Sequence, residues 1–213
     1  MEVILEIKRQ RGKAIVTVSD GSVIQVPLAL LRERPLHEGE PIDLEAYDHW
    51  LLLKQYRHAL DRAVAALAAR AHSRREIEDK LLRSGFRPAT VEMVMLKLEQ
   101  NNLLDDADFA RQWVEARAAR KLGKQRIAME LRRKGVSADE AETALESLDG
   151  DEQLDNAVTL AEKAYARAKQ GEDPRKTAQR IHAMLARRGF GWDVAKAAVA
   201  KAMADEDEDM FDE

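Results

Sequence analysis

Residues 123–136 read Gly-Lys-Gln-Arg-Ile-Ala-Met-Glu-Leu-Arg-Arg-Lys-Gly-Val. Ile127 and Leu131 are four residues apart, so both lie on one face of a helix. Gly135 ends that helix, because glycine takes the left-handed conformation at little cost. Val136 is then placed to close an apolar contact back onto the last turn. The same frame recurs at Ile77, Leu81, Gly85 and Phe86, and again at Ile181, Leu185, Gly189 and Phe190. Beyond each glycine the apolar positions continue as Val91 and Met95, Ala141 and Leu145, and Ala195 and Val199. The three glycines are spaced by 50 and 54 residues. A repeat of that period is a stack of supersecondary units.

Start signals frame the same helices. Ser73-Arg74-Arg75-Glu76 and Ser137-Ala138-Asp139-Glu140 fit a capping box. Asp173-Pro174 supplies a cap followed by proline at the first helical position, and Arg87-Pro88 supplies that proline too. Asp105-Asp106 is read as the cap of the helix that carries Phe109, Ala110 and Trp113. The predicted leading helices are 54–70, 106–121 and 152–169. The middle ones are 74–84, 124–134 and 175–188, and the closing ones 88–101, 138–148 and 192–203.

Before these units the period is two. Val3, Leu5 and Ile7 alternate, Ala14–Val18 is rich in strand formers, and Asp20-Gly21 is a hairpin turn ahead of Ser22–Val26. Three short strands form an antiparallel meander that needs a helix to pack on. Residues 28–32 are read as a short helix, and Pro35, Gly39 and Pro41 as a loop. From Leu44 the helical period sets in, with Leu51, Leu52, Tyr56, Leu60, Val64 and Leu67 as the expected apolar stripe. The expected fold is mainly α: three tandem three-helix repeats in an elongated curved array, preceded by the small β meander. The segments are a β-rich region at 1–43, repeats at 44–104 (with a lead-in helix), 105–150 and 151–203, and an acidic disordered tail at 204–213.

The chain holds no cysteine, which excludes disulfides, thiolate nucleophiles and cysteine-based zinc sites. Its start lacks the pattern of a signal peptide, and no apolar run is long enough to span a membrane. A cytoplasmic protein without membrane contact is expected. No phosphate-binding loop or nucleophile elbow occurs, and His37, His49, His58, His72 and His182 are scattered. Asp105-Asp106 has no base, metal or nucleophile beside it and is better explained by capping than by catalysis. These readings exclude the common enzyme classes and require no cofactor.

The net charge of −4 conceals a segregation of charge. Residues 1–53 carry −3, residues 54–203 carry +6, and residues 204–213 carry −7. Residues 109–134 hold Arg111, Arg117, Arg120, Lys121, Lys124, Arg126, Arg132, Arg133 and Lys134 against two acids. Arg117, Arg120, Lys121 and Lys124 share one face if their helix runs that far. Residues 163–188 add Arg175, Lys176, Arg180, Arg187 and Arg188, with Lys163, Arg167 and Lys169, again against two acids. Like charges at this spacing repel, so simple solubility explains the windows poorly. Arginine-rich faces suit carboxylate or phosphate partners. Phe109 and Trp113 have core spacing, and Trp50 and Trp192 are read as packing residues, since a base-stacking role needs exposure. The acidic tail is read as a solubilising end that also screens the basic faces.

The middle repeat carries a specific resemblance. Asn102-Leu103-Leu104-Asp105-Asp106 with Phe109-Ala110, and Gly123-Lys124 through Ile127 to Leu131-Arg132-Arg133-Lys134-Gly135-Val136, resemble two conserved segments of the RecX family. Ser73 through Glu76 to Leu81 and Gly85-Phe86 is similar to that family's first repeat. The resemblance covers about residues 50–203. Asn102 stands where the family often has glycine, and the third repeat has alanines in place of larger apolar residues. The resemblance implies a monomeric, non-enzymatic regulator in DNA repair, recombination and the SOS response. It would bind the groove of RecA filaments and inhibit the recombinase, touching single-stranded or duplex DNA weakly at most. The alternative is a stand-alone DNA-binding protein of helix-turn-helix-like modules, whose basic helices track phosphates directly.

Overall fold

A computed structural model describes residues 1–168 and 172–209, with backbone only for 205–209. The chain divides into two compact units, Met1–Asp106 and Ala107–Glu213.

The first unit opens with a sheet. Strands β1 (Glu2–Gln10), β2 (Lys13–Val18) and β3 (Val23–Pro27) form the expected meander. A two-residue strand, β4 (Pro41–Ile42), adds to the free edge of β1 and gives the order β3-β2-β1-β4, all antiparallel. The stretch read as a loop therefore contains a strand. Proline is acceptable there because an edge strand need not donate outward, and two residues are too short to show a period. Helix α1 (Leu28–Glu33) and the start of α2 (Leu44–Ala69) close over one face of the sheet. Ile4, Val16, Val18, Val26, Leu30, Tyr47 and Leu51 make that core.

Helix α2 is continuous over 26 residues and serves two cores. Its second half belongs to the first repeat, with α3 (Arg74–Arg83) and α4 (Pro88–Gln100). The stripe differs from the expected one. Leu51, Gln55, Ala59, Ala63 and Ala66 are buried, while Leu52 and Val64 are exposed. Small side chains win the inner face because α4 packs closely against it. Gln55 is buried because its Oε1 accepts the Arg87 N–H at 3.0 Å, satisfying the start of α4.

The β1–β2 turn covers the end of α3. A Cβ at Gly12 would strike the Arg83 carbonyl, and one at Gly85 would strike the Lys13 side chain. The sheet thus caps the first repeat.

The second unit holds α5 (Asp106–Ala118), α6 (Lys124–Arg133) and α7 (Ala138–Leu145), then α8 (Gly150–Tyr165), α9 (Pro174–Arg188) and α10 (Trp192–Asp209). The capping box at Ser137 and Glu140 is complete, and Asp173 caps α9 ahead of Pro174. Every apolar position of the repeat frame is buried, from Ile77 in the first repeat to Val199 in the third. The alanines of the third repeat fill its core: Ala157, Ala161, Ala195, Ala198 and Ala202. Helix α10 reaches Asp209, past the expected end at 203, because no glycine or proline stops it. The tail from Met210 to Glu213 lies outside the described residues, as does Lys169.

Helix ends follow one geometry. The N–H of Phe86, Val136 and Phe190 donates to the carbonyl of Leu81, Leu131 and Leu185, while the preceding glycine has φ between 83° and 90°. This is the Schellman motif, with its apolar contact supplied by the residue after glycine. Asn102 (φ 51°) and Lys121 (φ 55°) make the same turn without glycine. Asn102 explains its own departure from the family pattern, since asparagine tolerates this conformation best after glycine. Lys121 ends α5 early. Its turn breaks the helix that would have placed Arg117, Arg120, Lys121 and Lys124 on one face, so that expectation is corrected. The left-handed lysine costs about 1 kcal/mol.

Candidate partner-binding surface

The basic residues of the second unit fall into two classes, held and free. Glu130 on α6 is the centre of the first. Arg117 Nε donates to its Oε2 at 2.7 Å, Trp113 Nε1 donates to the same oxygen at 3.2 Å, and Arg126 Nε donates to Oε1 at 3.2 Å. The Arg117 guanidinium also lies 3.9 Å from the Trp113 ring centre, and the Lys134 ammonium lies at the same 3.9 Å. Trp113 is therefore half-buried and structural, bearing cations as well as apolar contacts. Arg117, Arg126 and Lys134 are committed to this cluster.

Burial pushes the Glu130 carboxyl up, but the hydrogen bonds from Arg117 and Arg126, the Arg117 charge and the Trp113 N–H outweigh it and hold the group below its ordinary 4.5. Removing the carboxylate strands two arginines of which Arg117 is only 18 % exposed. Glu130→Gln should cost the second unit about 3 kcal/mol at neutral pH. A depressed carboxylate stabilises above its unfolded value and loses that effect as pH falls through its folded value. The gap between native and variant in urea melts should therefore narrow as pH falls from neutrality through and below the ordinary 4.5 of the carboxyl. A gap that stayed constant over the whole acid range in which the protein remains folded would remove Glu130 from this role.

The free class is organised by a backbone junction between α9 and α6. The Gly123 N–H donates to the Arg188 carbonyl at 3.0 Å, and the Gln125 N–H donates to the Gly189 carbonyl at 3.0 Å. The Lys124 N–H donates to Gln153 Oε1 at 3.2 Å. The orphan donors at the start of α6 thus meet the orphan acceptors at the end of α9, and the two helix dipoles meet head to tail. The fit needs both glycines. A Cβ on Gly123 would enter the Gly189 backbone, and one on Gly189 would enter Arg126.

This junction joins two basic windows that are far apart in sequence. Arg188 Nη1 approaches the Arg120 carbonyl at 3.5 Å. Exposed Arg120, Lys124 and Arg187 therefore gather around the half-buried Arg188. At the other end of α6, roughly 15 Å away, Arg132 and Arg133 are exposed. On α8 and α9, Arg167, Arg180 and Arg187 line a cleft of about 270 Å³ floored by Ala164, Ile181 and Met184. Arg180 is paired there with Glu172 at 3.2 Å. Arg175 and Lys176 are exposed in the first turn of α9. Arg111 is exposed on α5 and paired with Asp108 at 3.0 Å.

Asp106, where α5 begins, accepts the Arg74 N–H on its Oδ1 at 2.8 Å and so also serves the start of α3. Among the described residues no three histidine or acidic side chains converge to hold a metal ion. No helix among them is long and apolar enough to cross a membrane.

Sequence reasoning missed three residues. Glu130 looked like a minor acid in a basic window, yet it disarms two arginines. Gly123 stands at the helix start where the first repeat has the capping Ser73, and that loss of a capping side chain was the available signal. Trp192 was read as packing and is 67 % exposed.

Comparison with known proteins agrees with this architecture. Family models for the first, second and third three-helix domains of RecX match residues 59–98, 105–145 and 151–199. The regulatory protein RecX of Mycobacteroides abscessus is 39 % identical over 141 residues, covering 66 % of this chain and 69 % of the relative. That of Prosthecochloris aestuarii is 42 % identical over 135 residues, covering 63 % of this chain and 86 % of the relative. Among solved structures, a crystal structure of regulatory protein RecX aligns over 92 % of this chain and 98 % of its own, with a TM-score of 0.63 at 22 % identity. RecX from Lactobacillus salivarius aligns over 71 % and 99 %, with a TM-score of 0.62 at 24 % identity. The two structures bear on the fold alone.

Proposed function

This chain belongs to the RecX family of regulatory proteins, and from that premise we propose that it binds the RecA recombinase filament and restrains its recombinase and ATPase activity. It does so as a monomer in the cytoplasm and uses no cofactor of its own. The observation that supports this most is the α9–α6 junction. It fixes the backbone of Arg120 and Lys124 from one basic window rigidly against that of Arg188 from the other, and these three side chains have no ion pair among the described residues. A rigid surface loses little entropy on binding, and arginine matches carboxylate and phosphate geometry. Second-unit residues therefore carry the contact, led by Arg132 and Arg133 and by Arg120, Lys124, Arg187 and Arg188.

The test is growth of RecA filaments on single-stranded DNA with and without this protein. Added protein should slow growth and lower DNA-dependent ATP hydrolysis at concentrations where it alone barely binds DNA. Undisturbed filaments would sink the proposal. Tight binding to DNA without recombinase, with a steep salt slope, would instead support a stand-alone DNA-binding protein.

A further inference from the structure

The three repeats do not close their leading and last helices equally. Helix α2 runs close along α4, and α8 runs close along α10, but α5 keeps a greater distance from α7. The core side chains give the reason. Alanines line the close contacts: Ala59 and Ala63 in the first repeat, and Ala157, Ala161, Ala195 and Ala198 in the third. The second repeat sets Phe109 and Val114 on α5 and Leu145 on α7, and larger side chains hold helix axes further apart. Helix α7 also ends at Leu145 after only 8 residues. A groove is left open along the unit, made of adjoining hollows of about 490 and 270 Å³ that share Arg111 and Ser147.

The groove has an apolar floor and an acidic rim. Val114 and Ala118 line it from α5, and Ala144 and Leu148 from the α7 side. Glu115 and Glu152 stand at one end and Asp139 at the other, all three exposed. These acids belong to a wider run. Residues 135–162 hold nine Asp and Glu and no Lys or Arg, between the two basic windows. Neither those nine nor Glu115 has an ion pair among the described residues. Arg111 also lines the groove, but it is already paired with Asp108 at 3.0 Å. From Ala107 to Ala119 the groove follows α5 for about 18 Å, the length of a helix of roughly three turns.

We propose that this groove seats a short basic amphipathic helix of a partner protein, its apolar stripe on the floor and its lysines or arginines against Glu115, Glu152 and Asp139. The channel between two helices takes the side-chain ridge of a third. The unpaired carboxylates choose its charge, because they repel acidic peptides and phosphates alike. Free cations would satisfy the rim but leave the apolar floor idle. The basic helices α6 and α9 of the same copy are packed into this unit and cannot supply the segment. The proposal does not depend on the recombinase reading, because it rests on this groove alone.

The test uses the full-length protein and a labelled helical peptide of leucine and lysine, with the leucines on one face. The comparison peptides are the same sequence with glutamate for lysine, and an oligolysine without leucine. The leucine–lysine peptide should bind, and Glu115→Lys/Glu152→Lys should weaken it about thirtyfold. The acidic tail is present in both proteins, so whatever it attracts is common to them. Melting curves should match the native protein, since both side chains are exposed. Glu115→Gln, which removes charge without changing shape, should weaken the peptide about threefold and gives the answer even if the double variant fails to fold. Equal affinity of native and variant proteins for the peptide would overturn the proposal. Equal binding of oligolysine or of the glutamate peptide would overturn it too, because charge alone or apolar surface alone would then suffice. A dimer of the native protein in sedimentation equilibrium that is lost in Glu115→Lys/Glu152→Lys would assign the groove to a second copy and likewise overturn it.

Discussion

Replacing Arg132 and Arg133 together by glutamate should leave the protein folded and lower its inhibition of RecA strand exchange by about a hundredfold. Both side chains are exposed in the last turn of α6, and neither has an ion pair among the described residues. Their reversal removes two cations from a helix C-terminus, which costs at most about 1 kcal/mol each. That loss is small beside the effect on a partner whose carboxylates or phosphates would then face like charge. Lys134 must be left alone. It continues the same basic run in sequence, but its ammonium lies 3.9 Å from the Trp113 ring centre. Changing it would confuse packing with binding. Arg117→Glu is the contrasting control: it places a second acid against Glu130 and should destabilise the unit whatever happens at the partner. Strand-exchange assays beside circular dichroism separate the two results. A folded Arg132→Glu/Arg133→Glu protein with full inhibition would move the contact off this end of α6.

Gly189→Ala should lower the melting temperature of the second unit by more than about 10 °C. Three costs fall on one methyl group. Gly189 has φ 90°, which a side chain adopts only under strain. The new Cβ would collide with the backbone and Cβ of Arg126. The displaced α6 would then lose the hydrogen bonds from Gly123 and Gln125 that satisfy the end of α9. These terms sum to about 3 kcal/mol or more. Gly123→Ala keeps an ordinary backbone conformation and removes only the first cost, so it should show a smaller but clear drop. Inhibition of the recombinase should fall in both variants even below the melting point, because Lys124 and Arg120 would no longer sit beside Arg188. Differential scanning calorimetry measures the first effect. Native-like melting of Gly189→Ala would mean that the junction is looser than its backbone contacts indicate.

The repeat architecture was legible because it rests on local chemistry. An apolar residue every fourth position, a glycine able to turn left-handed and a cap with a fixed offset act within one or two helical turns. Ile127, Leu131, Gly135 and Val136 therefore announce their helix, its buried face and its end without reference to the rest of the chain. The same logic placed Ser137 with Glu140, and Asp173 with Pro174. It failed where a local signal was overruled by a neighbour. On α2 the larger side chains Leu52 and Val64 were turned outward, because the approach of α4 selected Ala59, Ala63 and Gln55. At Lys121 the helix ended without glycine, since the turn had to bring Gly123 onto α9.

The candidate site divides along the same line. Counting charges found the basic windows and the residues in them, because charge is a property of composition. Which cations are free is a matter of position. Glu130 takes Arg126 at the ordinary i, i+4 spacing of one helix, but it draws in Arg117, and Trp113 takes Lys134, through contacts that no spacing rule contains. Arg120 and Arg188 are 68 residues apart and meet only because two glycines let two backbones touch. By itself, the sequence determined three repeats, their cores and a surplus of positive charge. Tertiary structure alone decided which charges face outward together, because only packing brings distant backbones within hydrogen-bond reach.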